Sequence, residues 1–198
     1  MAGITGGASE SSLPERNKPE SGVRVDEATA ARFEQTALPH LDAAYTLARH
    51  LLRNDHDAED VVQDAFLRAI RHFGGYRGGD MRAWLLTIVR NTCYSWLRRN
   101  RPDTQPVEYD ETGADAPRAV DDPETEMLRG ALQEALDQAI ANLPIEFREV
   151  VILRDVQGLS YAEIAEVAGI PVGTVMSRLS RARQRLQRVL PIEDYRRN

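Results

Sequence analysis

The sequence holds a single cysteine, Cys93. One thiol cannot close an internal disulfide or build a cysteine-based metal site. The four histidines, His40, His50, His56 and His72, lack metal-ligand spacing. Each reads as a surface or cap residue, and no metal is expected. No apolar run approaches the length of a bilayer span. No stretch alternates apolar and polar residues with period two, which excludes strands and predicts an all-α chain. The opening stretch MAGITGGASESSLPERNKPESGVRVDE lacks a basic start followed by an apolar core, so it does not read as a secretory signal. Its Gly, Ser, Glu and Pro content predicts a disordered extension over 1–25. No Ser-His-Asp set and no activated cysteine stands out, so neither enzymatic activity nor a cofactor is expected. These absences point to a cytoplasmic, non-catalytic protein without membrane insertion.

What the chain does have is charge of one sign in separate blocks. Its 198 residues carry a formal net charge of −6. Yet Met81 to Arg101 contains Arg82, Arg90, Arg98, Arg99 and Arg101 and no acid. Pro171 to Leu190 contains Arg178, Arg181, Arg183, Arg185 and Arg188, again with no acid. A solvated face ordinarily mixes signs. Two acid-free basic stretches in an acidic chain point to a polyanionic partner. Between them the sign reverses. Residues 102–126 hold Asp103, Glu108, Asp110, Glu111, Asp115, Asp121, Asp122, Glu124 and Glu126 against Arg118 alone, with four prolines and no apolar period. This reads as an acidic linker between two helical domains, 26–101 and 127–190, with 191–198 as a tail.

In the first domain, Phe33, Leu38, Leu41, Ala44, Tyr45, Ala48, Leu51 and Leu52 mark one or two opening helices, with a restart at Pro39. A clearer helix runs from Asp57 to Phe73, with Asp57 as its N-cap. Its apolar stripe is Ala58, Val61, Val62, Ala65, Phe66, Ala69, Ile70 and Phe73. The opposite face carries Asp60, Gln63, Asp64, Leu67 and Arg71, and the apolar Leu67 among polar neighbours hints at a partner surface. Gly74, Gly75, Gly78 and Gly79 form a loop without the Lys-Ser/Thr of a phosphate-binding loop, so no nucleotide site is expected. Then Met81, Trp84, Leu85, Ile88, Thr92 and Trp96 share one helical side. Arginines interleaved with Trp84, Tyr94 and Trp96 suit unpaired bases, because rings stack them while the charges hold the backbone.

In the second domain, Met127, Leu128, Ala131, Leu132, Ala135, Leu136, Ala139 and Ile140 predict one helix. Pro144 opens another, with Phe147, Val150, Val151 and Val156 inward and Gly158 as terminator. A helix-turn-helix pattern follows. Ser160 and Glu163 have capping-box spacing, and Ile164, Ala165, Val167 and Ala168 give the short helix a buried side. Gly169 ends it where a positive φ is needed. Pro171 suits the start of a second helix. That helix has an apolar stripe of Val175, Leu179, Ala182, Leu186 and Val189, with the arginines on another face. A short helix, a tight turn and a basic helix is how a recognition helix reaches the major groove.

Taken in order, DAEDVVQDAFLRA (Asp57 to Ala69), RAWLLTIVRNTCYSWLRR (Arg82 to Arg99) and LSYAEIAEVAGIPVGTVMSRLSRARQRL (Leu159 to Leu186) make the chain resemble a known family. It is similar to bacterial RNA polymerase sigma factors of the extracytoplasmic-function (ECF) group, from about Leu38 to Leu190. The resemblance implies that 26–101 is a sigma region 2 domain and 127–190 a sigma region 4 domain. It implies that Asp60, Gln63, Asp64, Leu67 and Arg71 bind core polymerase. Trp84, Arg90, Asn91, Trp96, Arg98 and Arg99 would melt and read the minus-ten element, with Asn91 where a flipped-out base is read. Thr174, Met176, Ser177, Arg178, Ser180, Arg181, Arg183 and Arg185 would read the minus-thirty-five element as duplex. Met176 is a departure, since the family usually has Arg or Lys there. The implied partners are core RNA polymerase, promoter DNA and an anti-sigma factor, with no small-molecule substrate.

The linker suits that job. Its 25 residues reach at most about 80–90 Å extended, and two turns of B-DNA cover about 70 Å. The alternative in the same family is a decoy that only titrates an anti-sigma factor. A stand-alone repressor would need a dimer surface or receiver domain, and a nuclease would need acids clustered on an ordered element.

Overall fold

A computed structural model describes residues 26–100 and 134–189. The expected N-terminal extension, the acidic linker, the start of the second domain and the tail lie outside the described residues. All regular structure among the described residues is helical. The first half has α1 (Glu27–Ala37), α2 (Leu41–Leu52), α3 (Asp55–His72) and α4 (Met81–Asn100). The second has α5, described over 134–141, then α6 (Ile145–Val151), α7 (Tyr161–Ala168) and α8 (Val172–Val189). A π-helical run, Ile152–Val156, continues α6.

Side-chain caps set several boundaries. Asp26 accepts the Thr29 N–H at 2.8 Å and starts α1. A short 3₁₀ turn, Leu38–His40, holds Pro39 and separates α1 from α2. Helix α3 starts earlier than its sequence pattern predicts. Its N-cap is Asn54, whose side chain accepts the Asp57 N–H at 2.9 Å, so Asp57 lies in the first turn instead. The Asp80 carboxylate accepts from the Arg82 and Ala83 N–H groups and opens α4. Ser160 and Glu163 form the expected reciprocal capping box on α7. Gly169, with φ of 66°, ends α7 in the left-handed region that glycine occupies without strain.

Helices α2, α3 and α4 pack against one another, and α1 lies across α4. Leu47, Leu51 and Leu52 meet Val61 and Ala65 of α3 and Leu85, Leu86 and Val89 of α4 in the core. Phe33 contacts Phe66 and Phe73 edge-on, Phe73 stacks on Tyr76 at 5.8 Å, and Tyr76 lies 5.2 Å from Trp84. The buried side of α4 is broader than its sequence pattern predicts. Ala83, Leu86, Val89 and Cys93 are buried with Met81, Leu85 and Thr92, while Trp84, Ile88 and Trp96 are half-buried. The reason is that α7 covers α4 as well as α2 and α3 do.

In the second half α8 packs on α6 and α7 through Val175, Leu179 and Ala182. Two expected core positions are outside. Val156 is 53% exposed, because it sits in the π-helical run, and Val189 is 55% exposed at the end of α8. The halves share one apolar cluster, with α4 against α7 and α2 against α6.

Candidate nucleic-acid interface

On α3, Asp60, Gln63, Asp64, Leu67 and Arg71 are all exposed. Their spacing of three and four residues places them along one side of the helix. Leu67 is 49% exposed. Beside this strip, between α2 and α3, is a groove of about 460 Å³ lined by Leu41, Tyr45, Val62, Gln63 and Phe66. Leu38 and Leu41, two of the apolar residues that mark the opening helices in the sequence, are both exposed. The 3₁₀ turn at Pro39 interrupts the α-helical phase and leaves them outside. Leu41 and Tyr45 are therefore additions to the α3 surface that periodicity missed.

The α4 candidates are not gathered on one free face. Asn91, Arg98 and Arg99 are exposed, and Trp96 is half-buried. Trp84 is half-buried in the aromatic cluster with Phe73 and Tyr76. Arg90 turns toward the second half. Its Nε donates to Oε1 of Glu149 at 2.5 Å, and its guanidinium lies 4.3 Å above the Tyr94 ring. The Tyr94 hydroxyl donates to the other Glu149 oxygen at 3.1 Å. Arg90 Nη1 also donates to Asn91 Oδ1 at 3.2 Å. Burial works against the Arg90 charge, but the hydrogen bond and charge of Glu149 outweigh it and hold the pKa above the ordinary arginine value. Glu149 itself is fully buried.

On α8 the exposed candidates are Met176, Ser177, Ser180, Arg181 and Arg183, with Thr174, Arg178 and Arg185 half-buried. They do not play equal parts. Arg183 donates to Asp155 Oδ1 at 2.7 Å, a bond that raises its pKa. The Arg185 guanidinium lies 4.5 Å from the Phe147 ring centroid. Both are committed to their own half. The Ser177 hydroxyl donates to the Thr174 carbonyl. Met176 and its neighbour one turn earlier, Val172, leave an apolar strip in the open.

Sequence reasoning missed Arg148, Glu149 and Gln157, the buried polar residues that bridge the halves. The available signal was weak: two charges between Phe147 and Val150 in an otherwise apolar run. Among the described residues no cluster of His, Cys, Asp or Glu suits a metal ion, and no helix is long and apolar enough to cross a membrane.

The family model described as Sigma-70 region 2 matches residues 37–102, and that described as Sigma-70, region 4 matches residues 133–186. The ECF RNA polymerase sigma factor SigE of Mycolicibacterium smegmatis is 38% identical over 165 residues, 82% of this chain. The chain spans 63% of that relative's length. The RNA polymerase sigma-H factor of Pseudomonas aeruginosa is 33% identical over 174 residues, covering 84% of this chain and 90% of its own. Among solved structures, the sigma factor RpoE in complex with the anti-sigma factor NepR from Bartonella quintana is similar with a TM-score of 0.63 and 32% identity. That likeness covers 81% of this chain and 98% of the other. CnrH in complex with the cytosolic domain of CnrY is similar with a TM-score of 0.56 and 27% identity, over 82% and 94% of the two chains. Two acid-free arginine helices, one in each matched region, and relatives spanning both regions lead to one conclusion: the chain belongs to the sigma-70 family of RNA polymerase sigma factors, in its ECF group.

Proposed function

We propose that this chain is a cytoplasmic alternative sigma factor that binds core RNA polymerase, recognises and opens promoter DNA, and starts transcription without catalysing a reaction itself. The observation that carries this reading is the pair of acid-free arginine helices. Helix α4 lies in the region 2 match and α8 in the region 4 match. Residues 26–101 and 127–190 are the two working domains, and 102–126 is the acidic tether between them. The α8 face of Thr174, Met176, Ser177, Ser180 and the arginines reads the upstream element as duplex. The α4 set of Trp84, Arg90, Asn91, Trp96, Arg98 and Arg99 engages the melted element. A run-off transcription assay with core polymerase tests the whole reading. Promoter-dependent transcripts are expected. Their absence, with polymerase binding intact, would favour the decoy.

The α3 strip of Asp60, Gln63, Asp64, Leu67 and Arg71 is the core-polymerase face, and the Leu41–Tyr45 groove extends it. Leu67→Ala combined with Asp64→Lys is expected to leave folding intact, because both side chains are exposed. Polymerase binding should weaken through lost burial and reversed charge. Co-purification with core enzyme measures this, and wild-type recovery would remove the assignment.

Asn91 is the base-reading residue of α4. Its side chain can act only after a base leaves the stack. Asn91→Ala should therefore slow open-complex formation and leave duplex binding by the second domain unchanged. On a pre-melted template the wild type should show a preference at one base position that the variant lacks. The same preference in both proteins would make Asn91 structural.

An anti-sigma factor is the third partner. The reading is supported by similarity, across both halves, to the sigma factor RpoE in its complex with the anti-sigma factor NepR.

A further inference from the structure

Within the apolar contact between the halves lies a set of buried polar and charged side chains. Buried interface cores are ordinarily depleted in charge. Here α6 and the residue that caps its π-helical run, Gln157, send three polar side chains across to α2 and α4. Arg148, 6% exposed, donates to the His50 carbonyl at 2.8 Å and to the Leu51 carbonyl at 3.4 Å, at the end of α2. It also donates to Leu143 within its own half, while its Nε has no partner. Gln157 accepts from Arg82 of α4 and donates to the Ala43 carbonyl at 3.3 Å. Glu149 takes Arg90 on one oxygen and Tyr94 on the other.

We propose that Glu149 is an internal competitor for the DNA backbone, so that the free protein closes on itself and masks Arg90. The proposal rests on the assignment of Arg90 to promoter DNA. A carboxylate and a phosphate offer a guanidinium the same thing, an anionic pair of oxygens. The Arg90 Nε that bonds Glu149 cannot serve a phosphate at the same time. DNA that takes Arg90 leaves Glu149 buried without its cation, which is strongly unfavourable. Separation of the halves relieves this by hydrating Glu149. Arg148 and Gln157 also lose their partners across the contact and gain water. The contact is therefore one that can open without exposing only apolar surface. Burial and the charge of Glu149 push the Tyr94 hydroxyl up, while the Arg90 guanidinium above its ring pulls against them. By linkage, DNA binding and opening must favour each other to the same degree.

The test uses the full chain with cysteines introduced at exposed Arg68 of α3 and Gln184 of α8, carrying a donor and an acceptor dye. Cys93 lies on α4 beside Tyr94 and is buried only while the contact is closed, so it is replaced by Ser in every labelled protein. The probe is a random-sequence single-stranded oligonucleotide, because backbone competition does not depend on base sequence. Adding it to the otherwise wild-type protein should lengthen the separation between dyes. Glu149→Gln keeps the side chain's shape and removes its charge. It should lengthen the separation without DNA and tighten oligonucleotide binding roughly five- to tenfold. Oligonucleotide binding with no change in separation would overturn the proposal, and this arm needs no variant at position 149. So would a folded Glu149→Gln protein with wild-type separation and affinity. Arg90→Gln in holoenzyme isolates the assignment beneath the proposal. Unchanged promoter opening would sink that assignment. Impaired opening, together with a silent Glu149→Gln, would sink the competitor alone.

Discussion

Arg181→Ala is expected to lower holoenzyme affinity for the preferred upstream element roughly five- to hundredfold, the equivalent of about 1–3 kcal/mol for a bidentate arginine–guanine contact. The loss should shrink on elements already mutated at the contacted base, because the variant has lost readout and not only charge. Arg178→Ala should behave in the same way. Arg183 and Arg185 should not, because their guanidinium groups are held by Asp155 and by the Phe147 ring. An exposed ion pair such as Arg183–Asp155 contributes at most about 1 kcal/mol to folding. Because its charge is already paired with Asp155, Arg183→Ala should weaken binding little and evenly across sequences, and should change the salt slope by well short of one phosphate contact's share, about 0.9. Affinities for a panel of upstream-element variants at several salt concentrations measure both quantities. Equal, sequence-blind losses for Arg181→Ala and Arg183→Ala would show that α8 supplies charge and reads nothing.

Leu85→Ala should cost about 2–5 kcal/mol of stability, the usual range for emptying a buried leucine site. Leu85 is fully buried on α4, which packs against α2 and α3. Against a typical total of about 5–15 kcal/mol, this is a large fraction. The apolar cluster runs through both halves, so the two should unfold together and shift together. Denaturant unfolding checks this, with the slope of the transition unchanged. Leu67→Ala is the control. Leu67 is as hydrophobic but exposed, and its loss should move stability by no more than about 0.5 kcal/mol. A Leu85→Ala cost as small as the control's would mean that α4 is not the centre of the first half's core.

These contrasts show what the sequence makes legible. Features set by neighbours within a few residues mostly read correctly, the Asn54 cap of α3 being the exception. The Ser160–Glu163 box, the left-handed Gly169 and the Val175–Leu179–Ala182 stripe all stand where local spacing put them. Fold class followed from the helical period throughout. Features set by distant chain did not read. Helix α4 is covered by α2, α3 and α7, so its apolar residues spread around the helix and the stripe chosen from periodicity was too narrow. Glu149 is an exposed-looking acid until Arg90 and Tyr94, 59 and 55 residues away, come to meet it. Arg148 finds carbonyls 97 and 98 residues away. Charge pattern marked α4 and α8 as basic, but it could not tell Arg181 from Arg183. That difference depends on Asp155, 28 residues earlier and brought alongside by the fold.

The π-helical run from Ile152 to Val156 has a consequence best seen in terms of insertion and deletion. Its wider turn, marked by the Gln157 N–H bonding to the Ile152 carbonyl, is an α-helix holding one residue too many. Removing one residue there would restore the α turn and swing all that follows by about 100°. Gln157 would leave Arg82 and Ala43, and α7 and α8 would change their bearing on α4. Val156 is mostly exposed and can change identity at little cost, yet the chain cannot lose the place it occupies. In this stretch, length is under tighter constraint than composition.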